Sequence, residues 1–561
     1  MEDSKRARSR KRRKQPRENL RHGRPDTGSG SRREGNDNAT MDLQESDGLI
    51  VPEGLRKSAP TAPVARGGKG ITASKVMGQL ALFRETADSL SGGTSPQRER
   101  LRSQVVTALQ TSRNTNGFAP SAMTMEEISN EMNLRMAFME VASNKGAPGP
   151  DRQSIDEVSD RLFEILPVLR TDLVSERYRP GKIRRVWIPK PGGQKRGLGI
   201  PNVIDRLVQQ AVHRVLSGYF ERQFHSSSHG FRPGRSCHTA ISEAKRHMQA
   251  GHDWVVDIDM KNFFDRVHHQ RLLSRLKHMG INDARVLRLI AKMLTAKVVM
   301  PNGVVVSTER GTPQGGPLSP LLSNIVLDEL DWELERRGHQ FVRYADDCKI
   351  YVRTERAGTR VMAAVVRFIE GRLRLAVNQD KSAVARPATR HFVGFCLRRS
   401  RTGEPYVVLS KRSRKRIDRN VVELTRRNWG NSLNAVIGRI NRYLQGWVGF
   451  FHVVDKQEVF TLGVIDSHIR RRLRALVFRQ KKRRAHIVRW LNRNRRVPLT
   501  RAKIDVYGCH RSLWALSITR SAHKAMSSHW FDRQGLLRLK RLWRKRNAPP
   551  IAPAQTVLPL G

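Results

Sequence analysis

Two clusters of acidic residues lie in segments whose neighbours favour β-structure. The first is FVRYADDCKIYV (341–352), where Asp346 and Asp347 stand between two β-prone runs. This pattern predicts a β-hairpin with both acids at its tip. Aspartate at a turn is ordinarily turn chemistry, and the tetrapeptide alone favours that interpretation. Adjacent carboxylates raise each other's pKa, however, and a bound divalent cation such as Mg²⁺ removes that cost.

The second cluster lies in WVVDIDMKNFFD (254–265), which predicts a buried strand that ends near Phe264. With a period of two, Asp257 and Asp259 share one face of this strand. An edge strand with exposed acids is the alternative, but the opposite face is apolar, with Val256, Ile258 and Met260. Because a buried strand should not carry two unpaired acids, the pattern favours metal ligation. Two metal ions about 4 Å apart, between strand and hairpin, would give the geometry of in-line phosphoryl transfer to a 3′ hydroxyl.

The composition of the whole chain indicates a polyanionic partner. With 561 residues the chain is too long for one ordinary core, so two to four domains are expected. Lysine and arginine outnumber the acids by 105 to 51, which gives a formal charge of +54. Because self-repulsion of this size disfavours the compact state, we expect nucleic acid as the partner. An anionic membrane is the alternative, but no apolar run approaches the roughly 20 residues of a spanning helix, and no membrane partner is predicted.

The cysteines and the N-terminus bear on the cellular compartment. The four cysteines are far apart and form no CxxC pair, so we predict neither a disulfide framework nor a zinc knuckle. The N-terminus is polar and basic, which is not typical of a signal peptide. We therefore expect a cytoplasmic location, in association with the nucleoid or with ribonucleoprotein.

Changes in composition divide the chain into five segments. Residues 1–73 predict a disordered basic arm that contacts RNA through the cluster at 10–14, although such a cluster can also be a nuclear signal. Residues 74–121 predict a helical extension of unknown role. Mixed helices and strands are expected over 122–400 and mostly helices over 401–545, followed by a flexible tail, 546–561.

The two acidic clusters resemble known polymerase motifs. The segment with Asp259 resembles polymerase motif A, and YADD resembles motif C of reverse transcriptases. In that family an aromatic steric gate follows the motif A aspartate by five positions. Asp259 has Phe264 at that offset, whereas Asp257 has Asn262. The resemblance therefore implies that Asp259 is the metal ligand.

Further segments resemble group II intron reverse transcriptases in the order expected for that family. Over residues 122–545, these enzymes have a counterpart for each of the segments 145–156, 178–212, 227–241, 311–331, 372–384 and 391–395. The stretch 440–453 is similar to the family's aromatic-rich thumb helix, and 506–536 is similar to the bacterial class C subgroup, which has no endonuclease domain. Such proteins are RNA-directed DNA polymerases that also act as maturases, which means that they assist splicing and mobility of their intron RNA.

The resemblance implies an α+β right-hand polymerase, in which fingers and palm share an antiparallel palm sheet, followed by an all-α thumb and maturase domain. Lys190 and Arg196 flank a predicted fingers hairpin and would clamp the nucleotide triphosphate, although a solvated hairpin tip explains either one alone. Gln314 would contact the sugar or the template base, with an ordinary loop as the alternative. On spacing alone Phe264 is more often a core residue, and only its offset from Asp259 implies the gate. Two Mg²⁺ ions would be held by Asp259, Asp346 and Asp347.

Clusters of cations in the helical region indicate RNA contacts. An amphipathic basic helix can also bind a membrane surface or calmodulin, but phosphate contact is favoured beside a polymerase. The RNA-binding residues are predicted to be Arg470, Arg471, Arg472, Lys481, Lys482, Arg483 and Arg484. Expected partners are intron RNA, an RNA template with a DNA primer, target DNA and dNTPs.

Two alternatives to the intron enzyme remain at this point. One is a retron or defence-type reverse transcriptase, and the other is a catalytically idle RNA-binding splicing factor. The acids, Phe264 and the fingers cations favour an active enzyme, because a pure binder has no need of carboxylates that face phosphate. Lys381 resembles a palm lysine near the catalytic acids, although a surface lysine is an equal interpretation.

Overall fold

The computed structural model of the chain describes residues 123–189, 195–426, 430–509 and 512–548. The predicted arm, the predicted helical extension, most of the predicted tail and the side chain of Lys190 lie outside these described residues.

Five helices build the region that precedes and follows the first hairpin: α1 (Met125–Ser129), α2 (Glu131–Ser143), α3 (Ile155–Asp160), α4 (Leu162–Val174) and α5 (Val203–Phe220). Local sequence sets their starts, since Ser154 and Glu157 form a capping box at α3. α5 is buried along most of its length and packs against α2, with Leu207, Val212 and Leu216 fully buried. This helix is the centre of the core that supports the fingers.

A four-stranded sheet lies beside these helices, and it includes two short strands from later in the chain, β4 (Val298–Val299) and β5 (Val305–Val306). β1 (Ile183–Pro189) and β2 (Lys195–Ile200) form an antiparallel hairpin, as predicted for the fingers. The strand order of the sheet is β2-β1-β4-β5. Only the first residues of β1 pair with β4, so the far end of the hairpin extends beyond the rest of the sheet. The elements that follow α5 are α6 (Cys237–Gln249), β3 (Trp254–Ile258), α7 (Phe263–Arg266), α8 (His269–His278), α9 (Ala284–Leu294), β4 (Val298–Val299) and β5 (Val305–Val306).

The second four-stranded sheet is the palm sheet that carries both acidic clusters. Its remaining elements are α10 (Ser319–Arg336), β6 (Gln340–Tyr344), β7 (Asp347–Val352), α11 (Glu355–Arg367) and β8 (Ala383–Ala385). The strand order is β6-β7-β3-β8, and every neighbouring pair is antiparallel. The predicted antiparallel palm sheet is therefore confirmed, and β3 is buried along four of its five residues.

The strand with Asp259 is shorter than predicted. β3 ends at Ile258, and the chain then turns toward 376–378, where the amide of Lys261 donates to the carbonyl of Ala376 (2.8 Å). Asn262 adopts a left-handed conformation with φ of 51°, which no strand can include. A short helix, α7, begins directly afterwards, so the prediction of a strand that ends near Phe264 was wrong.

A hairpin joins the palm to an all-helical region. It consists of β9 (Phe395–Arg399) and β10 (Pro405–Leu409), and the predicted boundary between residues 400 and 401 falls in its turn. The helices that follow are α12 (Lys411–Leu424), α13 (Leu433–Phe451), α14 (Val459–Gln480), α15 (Arg484–Arg495), α16 (Leu499–Gly508), α17 (Leu513–Leu516), α18 (Arg520–Ala525), α19 (Ser528–Arg533) and α20 (Leu539–Arg546).

Two large apolar cores hold these parts together. One lies between the fingers helices and one face of the palm sheet, and the other runs from the opposite face of that sheet into the helical region. The palm sheet is thus covered on both faces, which fixes its strands and their ends. None of the helices in the described part of the chain is long and apolar enough to span a membrane.

Candidate active site

The register of the palm sheet brings the three predicted metal-binding aspartates to one end of it. Ile258, the last residue of β3, pairs with Cys348 of β7. Continuation of this antiparallel register sets Asp259 beside Asp347, the first residue of β7. Asp346 lies in the two-residue turn between β6 and β7. Carboxylates from two distant segments therefore lie at the same end of the two central strands of the sheet.

A buried arginine holds the turn that carries Asp346. Ala345 in this turn has φ of 56°, a conformation that costs free energy outside glycine. Arg343 is fully buried and donates to the carbonyl of Ala345 (2.8 Å), to both oxygens of Asp331 (2.7 and 2.5 Å), to Asn324 Oδ1 (3.0 Å) and to Ser228 Oγ (2.7 Å). No sequence pattern indicated this network, because its members are spread over three segments.

A glycine permits a loop to lie directly against the same turn. A Cβ on Gly230 would be 2.3 Å from the amide nitrogen of Ala345, so no larger residue fits there without a shift. Asn324 Nδ2 donates to the carbonyl of Gly230 (2.8 Å), and the amide of His229 donates to the carbonyl of Arg343 (2.8 Å). The turn is therefore supported on its outer side by the 227–231 loop.

Asp257, the one acid within β3, is neutralised by the buried Lys349 and the half-buried Arg390. Its cross-strand neighbour Lys349 binds one carboxylate oxygen, and Arg390 Nε binds the other at 2.5 Å. Lys349 also contacts Asp347 Oδ1 at 2.8 Å. Burial raises the pKa of Asp347 above its ordinary value, against the effect of the Lys349 ammonium. The acid to which sequence patterns assign no role is therefore part of an ion-pair cluster.

Asp259 is positioned by the segment that follows α11. Its amide donates to Ser382 Oγ (3.0 Å), and its carbonyl accepts from the amide of Asn378 (2.8 Å). Lys381 Nζ lies 3.9 Å from Asp259 Oδ2, and about a quarter of the Asp259 side chain (26%) is exposed. Lys381 thus lies beside an acid rather than on a remote surface.

The carboxylates of Asp259, Asp346 and Asp347 suit a magnesium ion that also binds the phosphates of a substrate. Mg²⁺ prefers one or two carboxylates together with phosphates, and these side chains supply carboxylate oxygens. Over the described ranges, however, no three His, Cys, Asp or Glu side chains converge closely enough to enclose an ion. Lys349 also contacts one oxygen of Asp347. The residues therefore fit metal ions whose coordination is completed by nucleotide and primer.

Phe264 lies on α7, five positions after Asp259 in the chain, and differs from its neighbour Phe263 in burial. Phe263 is 1% exposed and belongs to the core, whereas Phe264 is only half-buried and meets the Phe263 ring edge-on at 5.3 Å. The carbonyl of Phe264 accepts from the amide of Thr312 (2.6 Å), and a Cβ on Gly311 would lie 2.7 Å from that carbonyl oxygen. The candidate gate is thus joined to the loop that contains Gln314.

Gln314 lies against β2, the strand that carries Arg196, at the junction between the fingers sheet and the palm. The amide of Gly199 on β2 donates to the carbonyl of Gln314 at 2.6 Å. A Cβ on Gly315 would lie 2.9 Å from the Leu198 side chain, and Leu198 shares a face of β2 with Arg196. The structure therefore brings these two predicted nucleotide contacts to one region.

Two of the predicted RNA-binding arginines are used inside the protein. Arg472 binds Thr425 Oγ1 and the carbonyl of Val422 (3.2 Å), at the end of α12. Arg484 donates to the carbonyls of Val506 (3.0 Å) and Cys509 (3.3 Å), at the end of α16. Cations at these positions satisfy the last carbonyls of a helix and oppose its dipole.

The other five predicted RNA-binding cations differ in exposure, since Arg470, Arg471 and Lys481 are half-buried like Arg472 and Arg484. Lys482 and Arg483 are exposed in the turn between α14 and α15. Arg471 stacks on the Trp514 ring at 3.8 Å, and Arg470 donates to Ser467 Oγ (2.8 Å). Lys481 lies 5.3 Å from the centre of the Trp490 ring. The exposed pair is therefore the part of this set that is best placed to meet phosphate.

A buried aspartate behind the hairpin predicts a pH-dependent stability. Asp328 on α10 accepts from Arg275 (2.9 Å), while its other oxygen is buried and has no hydrogen-bond partner among the described residues. Burial and the charge of Asp331 raise the pKa of Asp328 to about 6. Because the folded-state pKa is raised, the stabilisation is complete below the unfolded-state pKa of about 4 and is lost as the pH rises through about 6.

Asp328→Asn should therefore raise the melting temperature at pH 8 and have little effect at pH 4.5. The upper limit of the gain is on the order of 3 kcal/mol, from about two pKa units. Thermal melting of both proteins between pH 4.5 and 8 measures it. Glu329→Gln on the same helix, which removes half-buried ion pairs with Arg271 and Arg372, is the control without such a trend. A difference between Asp328→Asn and wild type that is constant across this pH range would contradict the prediction.

Comparison with known proteins agrees with this arrangement. Residues 188–397 match the family described as reverse transcriptase (RNA-dependent DNA polymerase). Residues 414–496 match the family described as group II intron, maturase-specific domain. The second match favours the intron-encoded class over the retron-type alternative.

Individual relatives point the same way. Protein YkfC of Escherichia coli is 34% identical over 341 residues, which cover 53% of this chain and 86% of that protein. Group II intron-encoded protein LtrA of Lactococcus lactis is 41% identical over 199 residues, 35% of this chain and 32% of LtrA. The putative COX1/OXI3 intron 1 protein of Saccharomyces cerevisiae is 33% identical over 204 residues, 36% of this chain and 24% of that protein. The chain therefore belongs to the group II intron-encoded reverse transcriptases with a maturase domain, a family of RNA-directed DNA polymerases.

Proposed function

We propose that the acids at the end of the palm sheet hold two Mg²⁺ ions and that the chain extends a DNA primer along an RNA template. The proposal rests on the pairing of β3 with β7, which leaves Asp259, Asp346 and Asp347 at the same end of these two central strands. Membership of the family implies dependence on a divalent metal ion and substrates that are nucleic acids. That there are two ions, and that they are Mg²⁺, is the part that we propose.

Each side chain of the site then has a task of its own. When bound, divalent ions activate the 3′ hydroxyl and neutralise charge on the triphosphate. Lys190 and Arg196 bind the triphosphate and orient it for in-line attack. The Phe264 ring occupies the space that a ribose 2′ hydroxyl would need. Gln314, fixed through its carbonyl to Gly199, contacts the sugar or the template base from the palm side.

Primer extension tests the proposal directly. On a poly(rA)/oligo(dT) substrate with Mg²⁺ we expect incorporation of dTTP that stops when the ion is chelated. RNA binding is measured on the same preparation by filter retention. A chain that binds RNA but incorporates no nucleotide with either Mg²⁺ or Mn²⁺ would be the idle splicing factor instead.

The maturase activity is proposed to act on intron RNA through exposed cations rather than through the palm acids. The match to the maturase-specific family covers α12 to α15, where Lys482 and Arg483 are exposed. Contacts with phosphate position RNA but read little of its sequence. Target DNA and the intron RNA are therefore expected to share parts of this basic surface.

Neutralising the exposed pair, Lys482→Gln with Arg483→Gln, should weaken RNA binding and flatten its salt dependence. Removal of one phosphate contact changes the slope of log affinity against log salt by about 0.7–0.9, so the double substitution should change it by about 1.5. We expect weaker splicing at moderate salt, unchanged thermal melting and normal primer extension at saturating substrate. Salt titration of binding to the RNA that flanks the gene, together with in vitro splicing, measures the effect.

Arg484 provides the matched control for this pair. Because it caps α16, Arg484→Gln should lower the melting temperature and leave the salt slope nearly unchanged. The maturase part of the proposal fails if the Lys482/Arg483 variant keeps the wild-type slope and splices normally.

A further inference from the structure

A lysine ammonium lies beneath the acids of the palm sheet. Lys349 is the third residue of β7, and only 4% of its side chain is exposed. Its Nζ contacts Asp347 Oδ1 at 2.8 Å and also binds Asp257. A buried charge of this kind is tolerated only where opposite charges compensate it, and both carboxylates face it. One oxygen of an expected metal ligand is therefore already bound to a cation that belongs to the protein.

Two more cations, Arg390 and Lys381, extend this cluster to Asp259. Arg390 Nε binds Asp257 at 2.5 Å, and its Nη2 donates to the carbonyl of Lys381, also at 2.5 Å. Lys381 Nζ in turn lies 3.9 Å from Asp259. Side chains of Lys349, Arg390 and Lys381 thus face the carboxylates of Asp257, Asp347 and Asp259.

We infer that Lys349 is a resident counter-cation that keeps divalent ions from binding the acids until a nucleotide and a primer are present. The inference rests on the proposed function of Asp259, Asp346 and Asp347 as metal ligands. An ammonium that occupies a ligand oxygen both removes that oxygen and repels a divalent cation nearby. The phosphates of a bound substrate add negative charge and oxygen ligands, which restores binding. Lys349 is in this sense a positioning residue that acts through Asp347.

A purely structural role for Lys349 predicts a different effect of its substitution on metal affinity. If Lys349 only satisfied Asp257 inside the sheet, its loss would lower stability and leave the affinity of the acids for metal unchanged. Lys245 offers a matched comparison, since its Nζ binds Asp455 Oδ2 at 2.9 Å in a half-buried pair between α6 and the segment that joins α13 to α14. Its removal costs a lysine–carboxylate pair without touching the acids.

The test measures Mn²⁺ binding to the full chain without nucleic acid, from the electron paramagnetic resonance signal of the free ion. Asp259→Asn gives the background binding. We expect Lys349→Met to bind Mn²⁺ at least tenfold more tightly than wild type, because the acids lose their counter-cation. Asp257→Asn should bind the ion at least about threefold more weakly, because Lys349 then compensates Asp347 alone. Lys245→Met should stay within twofold of wild type.

The inference is overturned if Lys349→Met binds Mn²⁺ within twofold of wild type. If melting shows that this variant does not fold, Lys349→Met combined with Asp257→Asn removes one charge of each sign and is measured instead. Tighter binding than wild type by the double variant supports the inference, and equal binding overturns it.

A second set of measurements separates this inference from the proposed function. Wild type is titrated with Mn²⁺ in the presence of dTTP and a poly(rA)/oligo(dT) primer that ends in a 3′-deoxynucleotide, so that no bond forms. Binding above the Asp259→Asn background in this complex supports the metal site itself. Absence of such binding overturns the proposed function, whatever the behaviour of Lys349→Met.

Discussion

Asp346→Asn and Asp259→Asn are each expected to abolish DNA synthesis while the affinity for RNA stays close to that of wild type. Each carboxylate acts on charge that develops during nucleotidyl transfer, and the loss of one such interaction costs about 10²–10³-fold or more in rate. Removal of a negative charge next to the expected path of a phosphate backbone does not weaken RNA binding. Primer extension and salt-titrated RNA binding on the same preparations measure both effects.

Asp253→Asn is the matched control for these variants. Asp253 precedes β3 at the end opposite to Asp259, and it pairs with Arg399 at 2.5 Å. The same change at the far end of one strand should leave extension within a few-fold of wild type. Splicing of the intron RNA should persist in Asp346→Asn, because the RNA supplies the chemistry of splicing. Clear extension by Asp346→Asn or Asp259→Asn would show that these acids are not the metal ligands.

Phe264→Ala is expected to admit ribonucleotides with little loss of dNTP use. A ring that excludes the 2′ hydroxyl by contact loses this effect when it is shortened to a methyl group. Because Phe264 is only half-buried and packs against the outside of the core, the melting temperature should fall by less than in Phe263→Ala. If the ring were a core residue instead, the variant should lose about 3–5 kcal/mol of unfolding free energy.

Phe263→Ala supplies the opposite result from the adjacent position. Its ring is fully inside the core, so we expect a loss of about 3–5 kcal/mol and an unchanged preference for the sugar. The ratio of kcat/KM for dTTP and UTP, together with thermal melting of both variants, distinguishes a gate from a core residue. If the ratio of kcat/KM for dTTP and UTP is unchanged in Phe264→Ala, Phe264 is not the steric gate.

The hairpin with Asp346 and Asp347 could be predicted from local sequence, and the end of β3 could not. Alternating β-prone residues on both sides of the turn indicate a hairpin wherever it lies in the fold. β3 ends at Ile258 because the following residues pair with 376–378, more than a hundred positions later in the chain. Local patterns carry no information about such a partner, so the strand was predicted too long.

Ion-pair partners were equally hidden from the sequence. Asp257 shares a strand face with Asp259, and the pattern alone treats the two alike. They differ because Lys349 is the cross-strand neighbour of Asp257 and Arg390 approaches from 133 positions away. The five-residue offset to Phe264 did separate them, but it came from the resemblance to reverse transcriptases and not from physical chemistry.

Charge alone also did not show which cations of the basic clusters are exposed and which are bound inside the protein. Arg483 and Arg484 are adjacent, yet Arg483 is exposed and Arg484 donates to the end of α16. Which arginine turns inward depends on where another helix ends, and that is decided by tertiary packing. The composition therefore predicted the nature of the partner but not which cations meet it.

The network of Arg343 has a consequence for the order in which the molecule folds. Its guanidinium binds Ser228, 115 positions earlier, as well as Asn324 and Asp331 at separations of 19 and 12. A charge that is fully enclosed needs all these partners at once, since any missing partner leaves it desolvated and uncompensated. Contacts so distant along the chain form slowly, after local helices and hairpins. We therefore expect the β6–β7 hairpin to form before the Arg343 network closes around its turn, so that a nascent chain fixes Asp346 in place only once the palm is complete.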